Sequence, residues 1–514
     1  FCTLLCLAQN RAPRPGTLSP AETRGKQIFL RGTSASGKEI TALLGKEQME
    51  VSASVLTCAS CHGRDGRGKP EGGVTPSDIR WESLTKPYAA SLPSTRKHPP
   101  YTEQSLKRAI TMSVDPAGNP LHAAMPRYRL SLEDMADLIA YLKRLGNVSD
   151  PGVDERVIKI GVVLAPAGKT ARLAQAVQGV LGAYFAEINK QGGIHNRSVD
   201  LKFIEPPEPS DQRAEAVKSF IDNEQPFALV ASVLAGDEKA LAVAANDREL
   251  PVVGALSLHP QNAFPVNRYV FYLHSGIPGQ AAALAVYATN KLHEKLRSAI
   301  LTDGSPGVRE AADAIKQQIA RAGWDPAGEI ATGTAADPAS LAQRMKKDGV
   351  GAVFCLGPVG LLPALLDESA KSDWTPAFFI PGSLNTGDVL QSPAVLDGRI
   401  YVAYPTLPAD HDPQAIAEYR ALVTDYKLPV QNAVSQIAAL SSGRLLVEAL
   451  KRAGRDVSRE KLIDVLEGMY EFKTGLTPAV TYGPNRRIGA EGAYIVSVDL
   501  KRKAFGPPEW IEAK

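Results

Sequence analysis

Cys58-Ala59-Ser60-Cys61-His62, followed by Gly63, is the stretch that decides how the first part of this chain is read. Two thiols three positions apart reach the two vinyl groups of one haem and form thioethers, and the next residue, His62, then stands under the iron as proximal ligand. The rival chemistries need other surroundings. A redox dithiol needs a thioredoxin-like βαβ setting, whereas Gly63, Gly66, Gly68, Gly72 and Gly73 follow here. A zinc site needs two more ligands, and the 5 cysteines contain no second pair of this kind. The expected cofactor is one covalently bound haem c, held by Cys58, Cys61 and His62.

An electron-transfer haem needs a second axial ligand, and 6 methionines are available. Met125 lies in Leu121-His122-Ala123-Ala124-Met125-Pro126-Arg127-Tyr128, where Pro126 forces Met125 into an extended conformation and blocks helix. An extended loop can push a thioether toward a flat haem face, and His/Met ligation raises the reduction potential relative to bis-His. Met125 is therefore the expected sixth ligand, with Met112, His98 and His122 as rivals. Met135 sits on the apolar face of an expected helix and reads as core.

Helices frame this loop. Ser19-Pro20-Ala21-Glu22 is a capping box with proline at the first helical position, leading into Gly25, Ile28 and Phe29. Ser131-Leu132-Glu133-Asp134 opens a second helix whose apolar positions Leu132, Met135, Leu138, Ile139, Leu142 and Leu145 recur at helical spacing up to Gly146. On these residues, 19–146 resembles the class I cytochrome c fold. The resemblance implies that the first and last helices cross over the haem edge, with Gly25 permitting the approach and Tyr141 packing there. Arg80 and Trp81, in Ser77-Asp78-Ile79-Arg80-Trp81, would place a cation and an indole near the haem propionates; an ordinary surface turn is the equal alternative.

The remainder of the chain has a different pattern. After the turn-rich Asn147-Val148-Ser149-Asp150-Pro151-Gly152, strands and helices alternate. Val157–Val163, Val199–Ile204, Phe227–Ala231 and Val252-Val253 read as strands. Between them, Thr170–Lys190, Asp211–Asn223 and Asp237–Glu249 read as helices. The pattern restarts with strands Ser298–Thr302 and Ala352–Leu356 and helices Gly307–Arg321 and Leu341–Lys347. Such alternation implies parallel sheets with crossover helices, and two runs imply two lobes.

Ile158-Lys159-Ile160-Gly161-Val162, Ala186-Glu187-Ile188-Asn189-Lys190-Gln191-Gly192-Gly193-Ile194, Leu250-Pro251-Val252-Val253-Gly254 and Ile300-Leu301-Thr302-Asp303 occur in that order. Through them, residues 156–505 resemble the type I periplasmic solute-binding proteins, in particular the branched-chain amino acid group that serves ABC importers. The resemblance implies two Rossmann-like lobes, three crossings between them and a ligand in the cleft. Its amino acid clamp is altered here. Leu234 and Ala235 stand where a serine pair is usual, and Leu258 follows Ser257 where threonine is usual. Pro306 lies in a loop that usually carries an aromatic, and Gly382-Ser383 replaces an expected acid. The expected cleft residues are Leu234, Ala235, Ser257, Leu258, Pro306 and Ser383. A zwitterion there would leave buried charges unpaired. A vestigial cleft that binds nothing is the bland alternative.

The 514 residues carry a net charge of +3, which gives no electrostatic case for nucleic acid. No apolar stretch reaches the length of a membrane span. Phe1–Ala8 reads as the tail of a secretory signal, with Cys6 a weak candidate for a lipid anchor. Cys355 sits in a strand and behaves as a small apolar residue. His195, His259, His274 and His411 form no metal spacing, and no nucleophile elbow, phosphate loop or HExxH occurs.

The expected organisation is a leader, 1–18; a small all-α cytochrome c domain, 19–147; a linker, 148–155; and a two-lobed α/β binding domain, 156–514. The expected protein is periplasmic and non-enzymatic, an electron carrier with a small organic ligand and a periplasmic redox partner, a dehydrogenase being the natural one. The alternatives are an ABC importer's binding component working with a permease, and a redox-linked sensor.

Overall fold

The computed structural model describes residues 18–45, 47–70, 72–86, 97–146, 149–166, 168, 170–234, 236–292, 295–333, 336–358, 360–384 and 389–513. The chain divides into two units, 1–150 and 151–514.

In the first unit, helix α1 (Pro20–Arg31) starts where the sequence asks it to. The Glu22 amide donates to Ser19 Oγ at 3.3 Å, and the Ser19 amide to the Glu22 carboxylate at 2.7 Å. Strands β1 (Thr41–Leu44) and β2 (Met49–Ser52) follow, then α2 (Cys58–His62), α3 (Trp81–Leu84), α4 (Glu103–Met112), β3 (Arg127–Arg129) and α5 (Leu132–Arg144). Helices dominate, as expected, but a three-stranded antiparallel sheet in the order β2-β1-β3 is added to them. Its strands are only three or four residues long, too short for an alternation to stand out as a period in the sequence.

Helices α1 and α5 cross at Gly25. A Cβ there would lie 2.0 Å from the Asp137 carbonyl oxygen and 2.8 Å from Tyr141 Cβ. Phe29 and Tyr141 pack beside the crossing with ring centroids 5.5 Å apart, and Arg24 pairs with the buried Asp137 at 2.6 Å. The core of the unit gathers Ile28, Phe29, Leu106, Ile110, Met135, Leu138, Ile139 and Leu142. Gly25→Ala should therefore force the helices apart and cost about 3 kcal/mol. A fall in the denaturation midpoint of the haem-loaded unit checks this; an unchanged midpoint would contradict the close crossing.

In the second unit, one sheet runs Ile488–Ala490, Val270–His274, Val252–Ser257, Ala228–Val230, Val157–Val163, Ser198–Ile204, with neighbours parallel. The other runs Pro326–Ala331, Ser298–Thr302, Ala352–Cys355, Ala377–Pro381, Ile400–Tyr404, Gly492–Asp499, the last pair antiparallel. Strands buried on both faces, such as Ala228–Val230 and Ala377–Pro381, are continuous apolar runs, as parallel sheets require. The chain passes between lobes after His274, between Tyr404 and Pro413, and between Ala490 and Gly492. At the hinge, Ser275 Oγ donates to the Gly492 carbonyl at 3.1 Å and ties two of these passages together.

Candidate functional site

The haem motif forms a short helix. Thr57 caps it, Oγ1 accepting from the Ser60 amide at 3.2 Å. The chain then doubles back: the Gly68 amide donates to the His62 carbonyl at 2.8 Å, and the Ile79 amide to the Gly66 carbonyl at 2.8 Å. Gly68 is needed for this return, because a Cβ there would sit 2.1 Å from the Pro76 carbonyl oxygen. The fold-back delivers the Ser77 carbonyl to His62, 2.9 Å from Nδ1. With Nδ1–H donating there, Nε2 keeps its lone pair for a metal. Burial lowers the His62 pKa against the raising pull of that carbonyl, so the ring is neutral, the ligating form.

Cys58 and Cys61 are both free, and Cys58 packs against the core. Burial pushes the Cys58 thiol up to about 12, opposite to the activation a redox dithiol needs. The two thiols and the oriented imidazole thus fit haem c, which Cys58 and Cys61 would hold through thioethers and His62 would ligate at the iron. Bound haem c supplies a one-electron ferric/ferrous couple.

Met125 lies in a turn closed by its own amide donating to the His122 carbonyl at 2.8 Å, with Ser113 Oγ donating to the Met125 carbonyl at 3.3 Å. Three residues on, the Tyr128 hydroxyl donates to the Leu56 carbonyl at 2.8 Å, tying this loop to the approach to Cys58. Met112 is 60% exposed at the end of α4 and Met135 is buried in the core. His98 packs edge-on against Tyr101, and His122 is exposed. Arg80 is committed to Asp78 at 2.6 Å and Glu82 at 2.9 Å, with its stem against Gly146, so two carboxylates already take its donors. Trp81 is half-buried, with Lys143 Nζ 5.5 Å from its ring centre.

In the second unit, Leu234 is buried among first-lobe side chains and lines an apolar gap of about 20 Å³ inside that lobe. Ala235 and the Pro306 side chain fall outside the described residues. Leu258 is 48% exposed. Ser257 Oγ donates to the buried Glu238 at 2.6 Å and accepts from the His259 amide at 2.8 Å. Ser383 Oγ accepts from buried Gln280 Nε2 at 2.8 Å. At Gly382 a side chain has no room, for a Cβ would lie 2.7 Å from the Tyr404 ring.

The sequence reading missed Glu238, Gln280 and His259. The His259 ring of the first lobe packs on Gly307 of the second, and its Nδ1 is buried with no partner among the described residues. The only sequence signal for it was its place two residues after Ser257. Among the described residues, no group of three metal-ligating side chains and no helix long and apolar enough to cross a membrane occurs.

A c-type haem unit and a two-lobed binding unit with an interlobe cleft are the classes these features define. Residues 157–504 match the family model of periplasmic binding proteins, about two thirds of the chain, so the protein belongs to that family. Residues 42–146 match the cytochrome c model, and the first unit is a haem c-binding cytochrome domain. Both families are exported.

Solved structures share the fold of the second unit. A fatty acid ABC transporter substrate-binding protein from Thermomonospora curvata is 18% identical with a TM-score of 0.55, covering 71% of this chain and 94% of its own. A branched chain amino acid ABC transporter from Thermus thermophilus with bound valine is 17% identical with a TM-score of 0.56, covering 70% and 97%. An ABC transporter solute-binding protein from Rhodopseudomonas palustris BisB5, in complex with 3,4-dihydroxy benzoic acid, is 17% identical with a TM-score of 0.53, covering 70% and 98%. No curated protein sequence matches the chain significantly.

Proposed function

We propose that the protein is a periplasmic one-electron carrier whose binding half holds a small organic molecule that is a substrate or product of a partner dehydrogenase. The observation that carries the redox half is the Ser77 carbonyl on His62 Nδ1, which prepares the imidazole for iron. Met125 is the sixth ligand in this reading, supported by the Tyr128 tether to Leu56. Deleting residues 19–146 should abolish electron acceptance from the dehydrogenase while leaving ligand binding intact. Loss of solute uptake alone would instead indicate an importer component working with a permease.

The cleft ligand lacks the amino acid head group. Two of the hydroxyls in the cleft loops are engaged within the protein, Ser257 with Glu238 and Ser383 with Gln280. Leu258 is apolar, and Gly382 has no room for an acid. Losing one charged partner costs about 2–5 kcal/mol, so two losses should weaken a free amino acid by at least about a thousandfold. Uncharged or aromatic molecules and simple acids avoid one or both losses. The dihydroxybenzoate-bound neighbour shows that this fold accommodates an aromatic acid. Calorimetry with leucine, valine and a panel of aromatic and aliphatic acids and alcohols tests this; micromolar leucine binding would refute it.

A further inference from the structure

A cavity of about 1090 Å³ opens beside the hinge of the binding unit. Its wall takes residues from two of the passages between lobes, 409–412 and 489–491. The first lobe adds residues between 470 and 481, and the second adds Tyr494, Trp510 and Glu512. It shares no residue with the loops at 232–237, 254–260, 303–307 and 381–384, so it is separate from the cleft.

The wall is acidic and aromatic. It carries six carboxylates, among them Asp410 and Glu471, against the three cations Arg444, Lys473 and Arg486. Two of those cations are matched within the wall itself, Arg444 with Glu418 at 2.6 Å and Arg486 with Glu491 at 3.6 Å. Asp410 accepts from the Tyr494 hydroxyl, from Thr406 Oγ1 at 2.8 Å and from the Leu407 amide at 2.9 Å. The Tyr494 and Trp510 rings meet edge to face at 4.9 Å, and Tyr470 stands 75% exposed at the rim.

We propose that this cavity is a second binding site, for a small organic cation. The excess of carboxylates excludes an anion. A metal ion does not suit the space, because no group of three metal-ligating side chains lies there or elsewhere among the described residues. An ammonium group satisfies both features of the wall: carboxylates take its charge, and aromatic faces attract it. Because the wall spans both lobes, an occupant makes contacts that change when the lobes move, which couples it to the cleft.

Titration calorimetry of the full haem-loaded chain with putrescine tests the site, with butane-1,4-diol as the uncharged control. The expected result is saturable putrescine binding that weakens as salt rises, with none for the diol. Glu471→Gln and Tyr470→Ala, both at the exposed rim where folding is not at stake, should each weaken it about threefold to tenfold. Absence of saturable putrescine binding, equal binding of the diol, or indifference to the two rim variants would each overturn the proposal.

Discussion

Changing both Cys58 and Cys61 to alanine gives a chain that carries no covalent haem after denaturation. Nothing else among the described residues supplies a thiol to a vinyl group, since Cys355 is buried in a strand of the second unit. The effect is all or none, because a thioether either forms or does not. The binding unit should fold regardless, with its own cores and its own sheets. Mass spectrometry of the denatured variant, beside circular dichroism of a chain lacking residues 1–150, separates the two statements. Haem remaining on the double variant would refute the attachment.

Met125→Ala should abolish the sulfur-to-iron charge-transfer band of the oxidised protein and lower its reduction potential, because a soft thioether favours ferrous iron. The loop itself should persist, since its turn is closed by backbone groups and its anchor is Tyr128, not the Met125 side chain. Redox titration with optical spectroscopy reads both effects. If the band survives, the thioether comes from elsewhere and Met112 is the next residue to change.

What the sequence disclosed follows from how local each signal is. The haem motif is five consecutive residues whose spacing is fixed by the haem's own vinyl groups, and it needs no tertiary context. Helices with a full apolar face were legible almost to the residue: Thr170–Lys190 was expected, and Ala171–Lys190 is observed, although the Thr170 side chain makes no capping bond. Of the parallel strands, Val157–Val163 and Ser298–Thr302 were legible to the residue as apolar runs, whereas Val270–His274, Ala377–Pro381 and Ile400–Tyr404 were not assigned from sequence. By contrast, β1, β2 and β3 are too short to show a period, and β3 joins the sheet from 79 residues beyond β2, as the Arg129–Glu50 contact records.

The cleft was the least legible region for the same reason. Ser383 looks like a free hydroxyl in sequence, and the Gln280 that engages it lies 103 residues earlier. Leu234 looks like a cleft wall in a loop, but its side chain turns into the first lobe's core. Which way a loop side chain faces depends on packing across elements, and no periodicity encodes it.

The edge strand Ile488–Ala490 has a consequence for how the chain must be made. It completes the first lobe's sheet by pairing with Val270–His274, and Tyr482, just before it, donates to a carbonyl 210 residues upstream at Tyr272. The first lobe therefore stays unfinished until nearly all of the polypeptide has emerged, although most of its strands arrive early. The second lobe's five parallel strands emerge in an unbroken run and can pair beforehand. Such a long-range closing step is slow, and it leaves the Val270–His274 edge open to wrong partners in the meantime. Trimming the chain before residue 482 would thus strike hardest at the lobe whose strands come first.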